Sequence, residues 1–280
     1  MVELSIHGKS FLLQINLIFR FIYKNSIYYL ISYEGEADEI ILPMSINGNS
    51  YVIDTFKSFA SKITIPDNMK TIGEQAFYNC SYLTSVTIPD SVTSIENGAF
   101  YNCYNLQNVI GGNNVTNIGS NAFFGCSNLT NIALTSNLKS IGNSAFENCT
   151  NLSSIIIPDS VIIIGDLAFY NTAIYNNFNN WIDGALYIGN HLICVDEDIE
   201  SFDMKEKTII SNKNVFSKCY KLKEIFINNL DVNLQYCTNL VVLKIDSINL
   251  SQNLHNIFQY NVPITLRKII LCENVKVLEI

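Results

Sequence analysis

The residues of this chain that could carry metal or redox chemistry are eight cysteines and three histidines. Four of the cysteines recur at one fixed interval, at Cys80, Cys103, Cys126 and Cys149. A cysteine at a fixed repeat position favours packing as a small buried hydrophobe over a disulfide or redox role. The histidines stand far apart, at His7, His191 and His255, with no second histidine or cysteine at ligand spacing. We therefore expect no metal site and no cofactor.

Two further patterns contain possible ligand or modification groups. The acidic run Asp196–Glu200 offers carboxylates to calcium, but it lacks the glycine and the spacing of a calcium loop, which favours a solvated loop. Asn-x-Ser/Thr triplets, the acceptors of N-linked glycans, begin at Asn79, Asn114, Asn128, Asn148, Asn151 and Asn249. We interpret these triplets as by-products of a repeated Asn-Leu-Thr/Ser at strand starts.

The sequence contains no recognisable catalytic constellation. It lacks a nucleophile paired with a base, a carboxylate pair and a glycine-rich phosphate loop. Gly111-Gly112 fills the place that a proline and an aspartate take in other repeats, which is typical of a turn. We therefore predict that the protein is not an enzyme.

Composition and charge narrow the classes of partner. The chain has 280 residues, of which 48% are hydrophobic, so it can bury a sizeable core. Seventeen basic against 25 acidic residues give a net charge of -8, which argues against nucleic acid as a partner. The longest apolar stretch, Phe11–Ile22, is interrupted by Gln14, Asn16 and Arg20, so no transmembrane helix is predicted.

The elements that must position these side chains belong to one repeated unit. An Ala-Phe pair recurs with the same strict period as the cysteines, with phenylalanines at Phe77, Phe100, Phe123, Phe146 and Phe169. In one unit, Leu83, Val86 and Ile88 predict a short strand that Pro89-Asp90 ends, and Ala99-Phe100 predicts one helical turn. A single unit cannot bury these side chains, so neighbouring units must stack and share a core. The sequence therefore predicts a β-rich repeat solenoid with short helical turns.

The repeat also predicts how the chain is organised. We expect N-terminal strands or a degenerate leader over residues 1–33, regular repeats over 34–171, an insertion over 172–200 and degenerate repeats over 201–280. Two alternating apolar runs around Gly189-Asn190 predict that the insertion is a β-hairpin. The four segments are expected to form one continuous solenoid.

The outward side chains of the stacked strands form the candidate partner-binding face. Eight residues are assigned to it: Ser85, Thr87, Asn108, Ile110, Asn131, Ala133, Ser154 and Ile156. Strands in register place such side chains about 5 Å apart, on the kind of extended face that solenoids offer to partners. A second row follows the Ala-Phe pair, at Tyr78, Tyr101, Phe124 and Tyr170, and is interpreted either as adhesive surface or as packing between units.

The unit Leu-x-x-Val-x-Ile-Pro-Asp-Ser-Val-x-x-Ile-Gly-x-x-Ala-Phe-x-x-Cys resembles the BspA-like, or Treponema pallidum-type, class of leucine-rich repeats, and residues 63–171 match it closely. The resemblance implies a right-handed coil and a cell-surface or secreted protein of a host-associated microbe. It also implies a non-enzymatic, adhesin-like module that binds protein or glycan partners, such as host matrix. The alternative is an intracellular leucine-rich repeat scaffold, which the many reduced-looking cysteines favour.

Overall fold

The computed structural model describes residues 2–6, 9–13, 19–228, 232–245, 263–271 and 276–279. His7, His255, the triplet at Asn249 and residues 14–18 of the apolar N-terminal stretch lie outside the described residues. The chain divides into two compact units, Met1–Asn176 and Asn177–Ile280.

The regular elements of the first unit are almost all short strands. They are β1 Val2–Ile6, β2 Lys9–Leu13, β3 Phe19–Lys24, β4 Ile27–Tyr33, β5 Glu39–Ile41, β6 Tyr51–Lys57, β7 Lys62–Thr64, β8 Thr71–Ile72, β9 Ser85–Ile88, β10 Ser94–Ile95, β11 Asn108–Gly111, β12 Asn117–Ile118, β13 Asn131–Ile132, β14 Ser140–Ile141 and β15 Ile163–Ile164. A single turn of helix, α1 Ala173–Asn176, ends the unit.

The repeats of the first unit contribute strands to two parallel sheets, and most of them contribute one strand to each. The first-strand sheet has the order β13-β11-β9-β7-β5, and the second-strand sheet has the order β15-β14-β12-β10-β8. Neighbouring strands pair at an offset of one repeat, so Val86 lies beside Val109 and Ile95 beside Ile118. The predicted solenoid is confirmed, and it has a second sheet that the sequence interpretation missed. The isoleucine that recurs at the phase of Ile95 was the feature of the sequence that indicated this sheet.

A column of stacked phenylalanine rings lies in the core of the first unit. Successive rings from Phe77 to Phe169 lie 5.1 to 5.4 Å apart between centroids and are within 12° of parallel. All five rings are buried, and each lies beside the alanine that precedes it in sequence. Because the strand spacing fixes the distance between coils at about 4.8 Å, identical rings at one phase must stack as offset pairs.

The Ala-Phe segment turns the chain without forming a helix. Its backbone N–H groups alternate between a partner in the same coil, as from Ala76 to the Gly73 carbonyl (3.2 Å), and a partner in the next coil, as from Phe77 to the Ala99 carbonyl (2.7 Å). Two left-handed residues per coil cause the alternation, for example Gln75 (φ 54°) and Asn79 (φ 58°). Positive φ interrupts helical hydrogen bonding, so the Ala-Phe segments are held together by hydrogen bonds between neighbouring coils.

The strand expected to carry Ser154 and Ile156 is not formed, and the first-strand sheet ends at β13. Leu152 and Ile157 remain buried, whereas Ile156 is 83% exposed. Leu152 lies two residues before Ser154, the position that corresponds to the first residue of β9, β11 and β13, and its carbonyl accepts a hydrogen bond from the Ile174 N–H of α1 at 3.0 Å.

The second unit opens on a 3-10 helix, Phe178–Asn180, and two small sheets follow it. An antiparallel sheet comprises β16 Trp181–Ile182, β17 Ala185–Ile188 and β18 His191–Val195. A second sheet comprises β19 Ser201–Asp203, β20 Glu224–Ile227, β21 Val242–Ile245, β22 Lys268–Leu271 and β23 Lys276–Glu279. Gly189, with φ 61°, takes the first position of the two-residue turn between β17 and β18, so the predicted hairpin is confirmed.

The repeat loosens in this unit. Ser201 pairs with Glu224, Glu224 with Val242 and Val242 with Lys268, so the offset is no longer constant. These pairings are parallel, but β23 runs antiparallel to β22. Buried Phe216, Cys219 and Leu222 repeat the core chemistry of the first unit.

Candidate functional site

The first-strand sheet brings five of the eight predicted face residues together. Ser85, Asn108 and Asn131 are aligned across β9, β11 and β13, and Thr87 lies beside Ile110. Asn108, Asn131 and Ile110 are exposed, Ile110 to 53%, whereas Ser85 and Thr87 are half-buried. Ala133, Ser154 and Ile156 are exposed but lie outside the sheet, because β13 ends at Ile132 and no strand follows in the next coil.

The same rows extend backwards over two strands that the sequence interpretation left out of the face. Lys62 and Glu39 continue the Ser85 row and form an ion pair, and Thr64 and Ile41 continue the Thr87 row. The hydrogen bond and the charge of Glu39 raise the pKa of Lys62. Counting back from Ser85 and Thr87 by one and two repeat periods would have found all four. We call the two rows together the face rows.

The thiols of the cysteine column are buried and form hydrogen bonds to backbone carbonyls. Each thiol donates to the carbonyl of the phenylalanine in the preceding coil, at distances of 2.9 Å for Cys80, 3.0 Å for Cys103, 3.1 Å for Cys126 and 3.1 Å for Cys149. Cys237 repeats the contact with the Phe216 carbonyl at 3.5 Å in the second unit. All seven cysteines that the structure describes are free thiols. The column therefore links coils through the core.

Burial also determines the acidity of these thiols. Loss of solvent raises the pKa of Cys103 and Cys126 well above the ordinary value of 9.0, and it raises the pKa of Cys149 to about 12. The pKa of Cys219 and that of Cys237 also rise to about 12, mainly for the same reason. Because the thiolate is the reactive form, these cysteines are poorly suited to nucleophilic or redox chemistry.

Thr172 takes the next place of the column and changes what it does. Its hydroxyl donates to the Phe169 carbonyl of its own coil at 2.8 Å and accepts from the Tyr175 N–H at 3.1 Å. The second bond satisfies one of the free amides at the start of α1, as an N-cap does. The change from cysteine to threonine coincides with the change from coil to helix.

The acidic run and His191 take part in contacts within the second unit. Asp198 and Glu200 of the acidic run form ion pairs with Lys221 and Lys223, at 2.7 and 2.8 Å. The Lys223 hydrogen bond lowers the pKa of Glu200. His191 is fully buried, with its Nδ1 2.9 Å from the Ser211 hydroxyl. Within the described ranges, no three His, Cys, Asp or Glu side chains cluster as a metal site.

The aromatic row beside the core is a stack in three successive coils. Tyr78 lies 5.0 Å from Tyr101, and Tyr101 lies 4.7 Å from Phe124, with ring planes within 10° of parallel. Glu147 takes the next place, so Tyr170 contacts Tyr175 instead, edge to face. The stacked part of this row therefore packs between coils.

A comparison with protein families accounts for this arrangement. The sequence model of the BspA type leucine rich repeat region matches six copies, over residues 54–176 and 181–279. The chain belongs to this family. The BspA type repeat explains the strict spacing of the Ala-Phe pair and of the cysteine column. The family is defined by a structural repeat and not by a catalytic site.

Solved structures of bacterial leucine-rich repeat proteins are similar to this BspA type chain at low identity. A leucine rich cell surface protein from Faecalibacterium prausnitzii is 20% identical over 82% of this chain and 81% of its own, with a TM-score of 0.48. The T. pallidum leucine rich repeat protein is 22% identical over 74% and 78%, with a TM-score of 0.42. The pneumococcal vaccine antigen PcpA is 17% identical over 92% and 87%, with a TM-score of 0.38.

None of the curated proteins compared with this BspA type chain matches it. Among the helices that the structure describes, none has the length and hydrophobicity needed to cross a bilayer.

Proposed function

We propose that this chain is a non-enzymatic interaction module, an adhesin-like surface protein that binds host-matrix or cell-surface proteins through the face rows. The observation that supports this proposal is the alignment of exposed polar and apolar side chains on one sheet. Asn108 and Asn131 lie next to each other with the half-exposed Ile110 beside them. Exposed amides and isolated aliphatic side chains on a rigid sheet suit repeated weak contacts with a protein surface.

The experiment is binding of the purified protein to immobilised fibronectin, laminin and collagen. The double variant Asn108→Lys with Asn131→Lys places two long cations in the middle of the face rows, so we expect binding to fall at least tenfold, since two disrupted contacts cost more than about 1.4 kcal/mol. The control, Asn179→Lys with Ser201→Lys, adds the same charge at exposed positions of the second unit. Equal binding by the wild type and the face variant would refute this assignment of the face.

An intracellular scaffold is the second candidate, which the unpaired thiols of the column favour. Protease treatment of intact source cells separates the two candidates. A surface protein loses its signal in an immunoblot of the treated cells, whereas a scaffold inside the cell keeps it.

A further inference from the structure

A second line of side chains runs along the first unit, at the corner where each coil enters its first strand. Its members are one repeat period apart, at Phe59, Tyr82, Asn105, Asn128 and Asn151. We call this line the corner row. It shares no residue with the face rows, and its chemistry changes from aromatic to amide along its length.

The aromatic end of the corner row is open to solvent. The rings of Phe59 and Tyr82 lie 4.9 Å apart at 64°, yet Phe59 is 72% exposed and Tyr82 is 53% exposed. Two large rings that touch each other and still face water resemble the anchor residues of a binding site more than a core.

These two rings also line a groove of about 940 Å³ in the first unit, which is within the size range of small-molecule sites. The other walls of the groove include Tyr33, Tyr78 and Asn79. Tyr78 gives the groove further aromatic surface and Asn79 is exposed at its edge, whereas Tyr33 is buried in its wall. The aromatic end of the corner row therefore opens onto a cavity.

The charges in the groove balance. Arg20 is paired with Glu34, with Nε 2.6 Å from Oε1, and the remaining charged side chains are one carboxylate, Asp54, and one ammonium, Lys57. A strongly anionic or cationic ligand would find no excess of opposite charge here. Electrostatics therefore favour a neutral ligand.

The amide end of the corner row is a ladder. Asn128 Nδ2 donates to Asn105 Oδ1, and Asn151 Nδ2 donates to Asn128 Oδ1, each at 3.2 Å. A carboxamide has two N–H donors and two acceptor lone pairs, so Asn128 keeps one donor and one acceptor beyond the ladder. The ladder thus presents an oriented donor and acceptor at the spacing of the coils.

We propose that the corner row and the groove beside it bind a neutral β-linked oligosaccharide that lies along the stacked coils. The C–H face of a sugar ring stacks on Phe59 and Tyr82, and the hydroxyls of following rings exchange hydrogen bonds with the amides of Asn105, Asn128 and Asn151. An extended β(1→4) glycan advances at each sugar by nearly the spacing of the coils, with alternate rings turned over. An α(1→4) glycan curves away and loses this match.

The experiment compares pentasaccharides whose linkage differs. Saturation-transfer difference NMR and calorimetry are performed with cellopentaose, chitopentaose and maltopentaose. Cellopentaose and maltopentaose contain the same glucose units and differ only in the configuration of the linkage. We expect at least one β-linked probe to bind about tenfold more tightly than maltopentaose, which corresponds to about 1.4 kcal/mol. Absence of binding by both β-linked probes, or equal binding by maltopentaose, would overturn the proposal.

Variants test the location of the site. Phe59→Ala with Tyr82→Ala should weaken binding of the preferred probe about tenfold or more, since truncation of an anchor aromatic costs more than about 1 kcal/mol. The control is Tyr220→Ala, which removes a tyrosine of similar exposure (52%) from the second unit. Unchanged melting temperatures show that the variants are folded. Undiminished binding by the double variant would place the sugar elsewhere and refute the corner row.

The face-row variant Asn108→Lys with Asn131→Lys should keep its sugar affinity. Loss of protein binding and loss of sugar binding are therefore separate results, and the failure of one proposal leaves the other standing.

Discussion

At the scale of single residues, the cysteine column shows how a reactive side chain becomes a structural one. Each thiol lies in the core and donates to a phenylalanine carbonyl one coil away, as Cys126 does to Phe100. The same carbonyl accepts the N–H of Cys103, so the thiol occupies its second lone pair. Burial and this bond together make the column part of the packing.

We predict that the buried thiols resist alkylation in the folded protein. Among the described cysteines, iodoacetamide at pH 8 should modify the half-buried Cys194 first, because only exposed thiolate reacts. The six described buried cysteines should react after urea is added. Peptide mass spectrometry gives the order of modification, and rapid modification of Cys126 without urea would contradict the buried column.

We also predict that stability falls with pH as the unfolded thiols ionise. The folded pKa of Cys149 is about 12, against 9.0 as its ordinary value, so from about pH 9 to pH 12 the unfolded chain binds fewer protons than the folded one. Stability is therefore fully present below pH 9 and falls by about 1.4 kcal/mol per pH unit for each such thiol.

Urea unfolding under reducing conditions measures this slope. Cys149→Ala should reduce the pH slope of stability by the contribution of one thiol. Ser153→Ala, a change at an exposed position that removes no ionisable group, should leave the slope unchanged. A slope that Cys149→Ala leaves unchanged would contradict the linkage.

At the scale of elements, the turn after the second strand depends on residues with positive φ. Most are asparagine or glycine, which tolerate this conformation, but Leu167 has φ 58°. A leucine there costs roughly 1–2 kcal/mol. We predict that Leu167→Gly raises the free energy of unfolding by about 1 kcal/mol, because relief of this cost exceeds the entropy cost of glycine.

The matched control lies shortly before it in the same coil. Ile162 is also exposed (66%, against 49% for Leu167) but does not have positive φ, so Ile162→Gly should lower stability by roughly 0.5–1 kcal/mol. Denaturant unfolding of the two variants should give changes of opposite sign. A loss of stability in both would mean that no strain is stored at Leu167.

The elements show what the sequence could predict. The Ala-Phe spacing predicted the stacking, the core phase and the pairing of Ser85 with Asn108, because these follow from period alone. Left-handed backbone at Gln75 and Leu167 left no signal, since neither residue type favours positive φ. The absence of a strand around Ser154 left no signal in the sequence, since Ser154 and Ile156 keep the phase of the face residues of β9 and β11.

At the scale of the whole chain, the phenylalanine column makes neighbouring coils of the first unit depend on one another. Phe123 stacks on Phe100 at 5.2 Å and on Phe146 at 5.4 Å. We predict that Phe123→Ala lowers stability by about 3–5 kcal/mol, because it removes a buried ring and leaves a cavity. Hydrogen exchange should show the greatest loss of protection in the coils of Phe100 and Phe146, and less towards β5.

Phe124→Ala is the control, since it removes the same side chain from the partly exposed neighbouring row. Phe124→Ala should lower the free energy of unfolding by about 1 kcal/mol, which is the stabilisation that one aromatic pair provides. A uniform loss of protection throughout the first unit after Phe123→Ala would contradict nearest-neighbour coupling.

The constant offset of 23 residues between bonded partners, from the Thr84 hydroxyl and the Ser61 carbonyl to Asn151 and Asn128, has a genetic consequence. A replication slip that deletes or duplicates one whole unit within the regular repeats keeps the phase of every ladder on both sides of the join. A slip of any other length moves phenylalanine out of the core column and asparagine out of the amide ladder. Within the regular repeats the gene can therefore change its length only in steps of one coil, and natural alleles should differ there by multiples of that step.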